Sequence, residues 1–215
     1  MSTRTTLIIA GLLMLAGLLF SLSVYSRLPD SMASHWNFND QVDGRMPRFW
    51  GAFLMPLLSL AVVGLLMLVP RIDPFKTNIA AFQSAFNAFV TIMVVFFLYL
   101  HILTVLWNLG YQNFRMSLAL LPAVGLIFVC AGLLMARSRR NYFIGIRTPW
   151  TLSSDTVWAE THRLGSRLFI GMGILVMILG LAGRGVLPAL LIIVVITALV
   201  PVVYSYILYR RETGA

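Results

Sequence analysis

Charge is scarce in this chain. Asp and Glu supply 7 of 215 residues, and charged residues of both signs make up only 11%, against about 25% in an ordinary soluble domain. With 60% hydrophobic residues and a mean hydropathy of +0.90, that deficit excludes a water-soluble globular domain and places the chain among integral membrane proteins. Cysteine is almost missing as well. Cys130 stands alone inside an apolar run, which excludes an internal disulfide and any CxxC metal or redox spacing. There is no internal repeat, no low-complexity segment and no Gly-x-x-x-Gly pair. The net charge of +9 does not indicate nucleic acid, because the basic residues flank apolar runs instead of forming one basic domain.

What is present is a series of six apolar runs: Leu7–Val24, Phe49–Val69, Ala88–Trp107, Met116–Ala136, Arg167–Gly183 and Val186–Leu208. An 18-residue helix reaches about 27 Å, close to the thickness of the bilayer core. Unsatisfied backbone groups in lipid force such runs to be helical, and the alternation of a barrel strand is missing. The fold class is therefore all-α, a polytopic membrane bundle of six transmembrane helices. The first run is longer than the 7–15 apolar residues typical of a signal-peptide core, so it is read as an uncleaved span.

Lys and Arg set the expected direction. Arg4, Arg71, Lys76, Arg137, Arg139, Arg140, Arg147, Arg163, Arg167, Arg210 and Arg211 fall on one side, and Arg27, Arg45, Arg48, Arg115 and Arg184 on the other. This bias predicts that both termini and the connector over residues 137–167 are cytoplasmic, with the loop over 25–48 outside. Two regions are expected: residues 1–80, with two spans and the outer loop, and residues 81–215, with four spans and the cytoplasmic connector.

All seven acidic residues fall outside the runs, and no Lys or Arg sits mid-run. Ion-coupled carriers place ionisable groups at membrane depth, so a pump is disfavoured. His101 is the exception, read either as a group titrating near neutral pH that serves as a switch or ligand, or as a neutral imidazole bonded to another helix, the reading favoured here. A small transporter or lipid-handling protein, the alternative reading, has only His101, Thr91, Thr104 and Asn87 to line a polar passage. Gly125 and Gly132, like Gly173 and Gly180, are seven apart and share a helix face where neighbours would approach closely. Pro56, Pro122 and Pro201 lie within runs as candidate kinks.

Two polar islands interrupt the apolar chain. In the outer loop, Trp36 and Phe38 suit the headgroup level, and Asn39-Asp40 and Asp43-Gly44 read as turns. His35, Asp40 and Asp43 are metal-type ligands, but their spacing matches no metal motif. His35, Trp36, Asn37, Asp40 and Asp43 are the candidate outer ligand-binding residues. In the inner connector, Arg137, Arg139 and Arg140 read as an anchor to anionic lipid. Ser153 or Ser154 would cap a helix starting near Asp155, lying along the membrane before turning into the fifth span. Glu160 and His162 are two apart on that helix and do not converge as acid and base. With no nucleophile elbow, phosphate loop or zinc pattern, no enzyme activity, metal or cofactor is expected.

The run Asn141, Gly145, Ile146, Arg147, Thr148, Pro149, Trp150, Thr151, Leu152, then Val157, Trp158, Thr161 and His162, closely resembles the signature of the SdpI-type membrane protein family. Pro29, His35, Trp36, Asn37 and Asp43 resemble a small membrane domain of unknown function that often precedes it. That domain has a glycine shortly after its His-aromatic-Asn run, where this chain has Asn39-Asp40. The resemblance implies a multi-pass protein of the bacterial cytoplasmic membrane. It further implies immunity to a secreted, membrane-active peptide toxin, and a receptor role in which a transcriptional repressor is held at the membrane. The expected partners are thus membrane lipids, a peptide toxin outside and a repressor inside, with no direct contact to nucleic acid. Asn141, Gly145, Arg147, Thr148, Pro149, Trp150, Thr151, Trp158, Thr161 and His162 are the candidate partner-binding residues.

Overall fold

The computed structural model describes residues 1–37, 39–182 and 187–214. Phe38, Arg184 and the expected span ends at Gly183 and Val186 lie outside the described residues. The elements in chain order are α1 (Thr3–Val24), a 3-10 turn (Tyr25–Arg27), β1 (Ser31–Trp36), β2 (Val42–Pro47), α2 (Arg48–Ile72), α3 (Lys76–Asn108), α4 (Met116–Met135), α5 (Pro149–Ser153), α6 (Asp155–Ala182) and α7 (Leu187–Thr213). Six helices are long and apolar enough to cross a membrane. Large apolar residues such as Leu12, Leu65, Ile178 and Leu199 are more than half exposed on their outer faces. Such surface is stable only against hydrocarbon.

Two differences from the sequence reading matter for function. The loop over residues 25–48 contains a hairpin, with β1 and β2 antiparallel and Ser31 opposite Pro47, Met32 opposite Met46 and Trp36 opposite Val42. The presumed surface helix and the fifth span form one continuous helix, α6, with no break between Asp155 and Ala182. No proline interrupts that stretch, and Glu160 pairs with Arg163 one turn on, so nothing breaks the hydrogen-bond ladder. As the sequence suggests, Ser154 caps α6, accepting the Val157 N–H at 3.2 Å.

Packing divides the spans unequally. One core joins α1, α2 and α3 through Ala10, Val63, Ile79, Phe86, Val90 and Val94. A second seats the hairpin on the helix ends, with Leu28 and Met32 against Val24, Ala52 and Val105. Gly51 makes room for this, since a Cβ there would lie 2.9 Å from that of Met32. α4 and α6 cross backbone to backbone: a Cβ on Gly125 would sit 2.5 Å from the Gly173 carbonyl oxygen, and one on Gly132 2.8 Å from that of Ser166. Small residues at these crossings bring the two helices into direct contact along much of their length.

His101 is buried in the first group. Its Nε2 lies 2.8 Å from the Ser21 hydroxyl of α1, which donates to the Ala52 carbonyl at 2.6 Å. The adjoining space, bordered by Gly17, Pro56, Ser59 and Leu98, has a volume of about 10 Å³, about the size of one water. Asn87 is also engaged, donating to the Met1 carbonyl and the Thr3 hydroxyl at 3.1 Å each.

Candidate functional site

The two polar islands lie at opposite ends of the bundle. The hairpin covers the C-terminal ends of α1 and α3 and the starts of α2 and α4. The segment over residues 136–154 lies against the other ends.

Within the hairpin, Asn37 organises the turn. Its side-chain oxygen accepts the Asn39 and Gln41 N–H groups at 2.9 and 3.1 Å. Asp40 has φ +60°, the left-handed conformation favoured by glycine and tolerated by Asp. Asp40 thus makes the turn and also puts its side chain to use. Its carboxylate accepts the Ser117 backbone N–H at 2.7 Å, the Ser117 hydroxyl at 2.7 Å and the Arg115 Nε–H at 2.9 Å. Burial pushes the Asp40 carboxyl up, but the Ser117 bonds and the Arg115 guanidinium outweigh it and hold the group below its ordinary range. At the other edge, Asn108 at the end of α3 clasps Ala33: its Oδ1 accepts the Ala33 N–H at 2.7 Å and its amide donates to the Ala33 carbonyl at 3.0 Å. Trp36 is half-buried, edge-on to Trp107 at 5.6 Å.

His35 and Asp43 pair with each other on the exposed face. Asp40 points away from them to α4, so the three metal-type residues do not converge. Among the described residues no three His, Cys, Asp or Glu side chains gather to hold a metal.

The segment at the opposite end is folded around buried polar groups. Asn141 accepts the Phe143 and Ile144 N–H groups at 2.9 and 2.6 Å and donates to the Arg139 and Ile144 carbonyls. Gly145 has φ +110° and lies against the His162 ring, where any side chain would collide. His162 stacks on Trp158 with centroids 3.9 Å apart. The Trp158 carbonyl can only accept, so His162 Nδ1–H donates to it, leaving Nε2 to accept the Ile146 N–H at 2.9 Å. Trp158 in turn donates from its indole N–H to the Ser138 carbonyl at 3.3 Å. Thr148 and Thr151 form a capping box that starts α5, and the Thr148 hydroxyl meets Ser205 of α7 at 3.1 Å. Pro149 takes the first helical position, where its missing N–H costs nothing.

Of the ten candidate residues here, Asn141, Thr148, Thr151, Trp158, Thr161 and His162 are buried. Gly145 is enclosed by His162. Arg147 and Pro149 are exposed, and Trp150 is half-buried against Tyr206 with centroids 5.0 Å apart. Glu160 faces outward to Arg163 and does not meet the His162 ring. Arg140 turns inward, unlike the lipid anchor the sequence suggests. It pairs with Asp155 at 2.9 Å, donates to the Leu152 carbonyl at 3.2 Å and lies 5.0 Å over the Phe75 ring.

Several residues that sequence reasoning did not single out complete the sites: Asn108, Arg115 and Ser117 under the hairpin, and Asp73 under the connector. Asp73 is fully buried and accepts the N–H groups of Phe75 and Tyr142 at 2.6 and 2.8 Å, fixing the Phe75–Tyr142 stack. Its one legible signal is the Asp73-Pro74 pair in the α2–α3 turn.

Residues 137–205 match the SdpI/YfhL protein family, and residues 12–60 match a domain of unknown function, DUF1648. The chain is similar to the immunity protein SdpI of Bacillus subtilis (strain 168), with 24% identity over 214 residues that cover 97% of this chain and 98% of that one. No solved structure matches it. Six apolar helices, the hairpin within the first matched region and the Asn141–His162 fold opening the second agree with these likenesses: the chain is a multi-pass bacterial membrane protein, similar to DUF1648 over residues 12–60 and to the SdpI/YfhL family over residues 137–205.

Proposed function

We propose that the protein confers immunity, protecting the cell that carries it from a membrane-active peptide, and that it acts by binding and not by catalysis. The observation that carries this is the end-to-end alignment with an immunity protein. The arginine distribution supports an orientation with both termini and the connector inside, which puts the hairpin on the face a secreted peptide meets first. There the half-buried Trp36 and the exposed Phe49 and Trp50 offer aromatic surface, and the solvent-facing carboxylates of Asp43 and Asp30, paired with His35 and Arg48, are acceptors that basic groups can share. Expression of the chain in a sensitive bacterium should lower killing by such a peptide, and an unchanged killing curve would remove the proposal.

A receptor role is a second reading, favoured by one connection. Asp40 ties the hairpin to the start of α4, α4 lies backbone to backbone on α6, and α6 carries Trp158 and His162. A ligand that binds better to one arrangement of the hairpin would shift the far end by that difference in affinity. The surface available there to a repressor is Arg147, Pro149 and the outer edge of Trp150. Replacing Arg147 should abolish repressor recruitment to the membrane without affecting insertion. Retained recruitment would exclude this surface. The transporter alternative gains no support from Asn87, whose amide donates to Met1 and Thr3, nor from the space beside His101, which is about the size of one water.

A further inference from the structure

We propose that the cavity between the first turns of α6 and the end of α4 binds a phosphate group, supplied by an anionic membrane phospholipid. The cavity has a volume of about 320 Å³, at the lower end of small-ligand sites, which start near 300 Å³. Arg163, Ser166 and Arg167 line one side of it, at i, i+3 and i+4 on a single face of α6. Met135 and Ala136, at the end of α4, form the apolar wall opposite. Arg163 is partly neutralised by Glu160 at 2.8 Å, whereas Arg167 is exposed and has no carboxylate partner among the described residues. His162 also borders the cavity, but both its ring nitrogens are already engaged. The donors left for a ligand are two guanidinium forks and one hydroxyl, a set matched to phosphate oxygens.

The surface beyond Arg167 identifies a lipid as the source. Ile174, Ile178 and Leu181 continue the face of Arg167 at i+7, i+11 and i+14, and are 45%, 58% and 69% exposed. That stripe runs about 21 Å, longer than the roughly 15 Å of one leaflet's hydrocarbon. A cation heading an exposed apolar stripe suits a molecule with a phosphate at one end and an acyl chain behind it. The inference does not depend on immunity, since it concerns only this pocket.

The test uses the full chain purified in a neutral detergent, with melting followed as phosphatidylglycerol, phosphatidylcholine of the same chains, or soluble glycerol phosphate is added. Phosphatidylglycerol should raise the melting temperature where phosphatidylcholine does not. Arg167→Gln should raise the concentration for half the effect at least tenfold, and Ser166→Ala should raise it less. Arg139→Gln, at an exposed site outside the cavity, should leave it unchanged. If glycerol phosphate alone stabilises the chain, and does so only with Arg167 present, the phosphate site stands and free phosphate esters replace lipid as its source. An equal response in Arg167→Gln, an equal response to phosphatidylcholine, or no response to any phosphate overturns the proposal.

Discussion

The carboxylate of Asp40 accepts both the backbone N–H and the hydroxyl of Ser117, joining residues 77 apart in sequence. Ser117 lies in the first turn of α4, where backbone donors have no partner within the helix. The hairpin therefore supplies an N-terminal cap that the local sequence around Arg115 lacks.

Removing that cap should loosen the hairpin. Asp40→Ala leaves the Ser117 N–H and the Arg115 guanidinium without this acceptor, at a cost of about 1–3 kcal/mol. Because the folded-state pKa of Asp40 is depressed, its contribution is fully present above the unfolded carboxylate value of about 3.9 and is lost as pH falls through the lower folded value. The gap in thermal stability between parent and Asp40→Ala should therefore be constant from pH 8 to pH 5 and close only in stronger acid. A gap that already closes at pH 6 would contradict the assignment.

His162 holds the connector to α6 through the Ile146 N–H. His162→Phe preserves a ring against Trp158 but leaves that buried donor without its acceptor, again at about 1–3 kcal/mol. Limited trypsin digestion should cut after Arg147 faster in this variant than in the parent. His162→Gln, which keeps an acceptor, should fall between the two. Equal cleavage rates in all three would show that the bond does not hold the loop.

Two glycines should be intolerant for different reasons. Gly145→Ala meets both a left-handed backbone, costing about 1–2 kcal/mol, and the His162 ring. Gly125→Ala has ordinary helical geometry, but its methyl would strike the Gly173 carbonyl and cost about 1–3 kcal/mol by overpacking. Gly64→Ala, with open space around it inside α2, is the control and should melt no lower than the parent.

Thr161 separates folding from function. It is fully buried, and its hydroxyl has no partner among the described residues. A same-shape apolar replacement removes that cost, so Thr161→Val should melt no lower than the parent. If protection against a peptide is lost while stability is kept, the hydroxyl serves a step beyond folding.

The six spans are legible because lipid imposes one rule on every crossing segment: apolar side chains and a self-satisfied backbone. Ser154 as the cap of α6 follows from equally local chemistry. The hairpin is harder to read. Met32 and Ala33 are adjacent and both buried, and the register slips near His35, so β1 lacks the alternation that announces a strand. The partial signal is Asn39-Asp40, recognised as a turn without the pairing on either side of it. The inward fate of Arg140, Trp158 and His162 was equally hidden. Arg and Trp suit a surface or an interior, and only the fold supplies Asp155, Ser138 and Ile146 as their partners.

Gly125 and Gly173 let two peptide planes touch with no side chain between them, so neither helix has slack to slide past the other. α4 and α6 then behave as one beam, some 30 Å long for the 20 residues of α4. Asp40 is bolted to one end of that beam and the His162 hook to the other. A tug on the hairpin would reach the far side as displacement instead of dissipating among loosely meshed side chains.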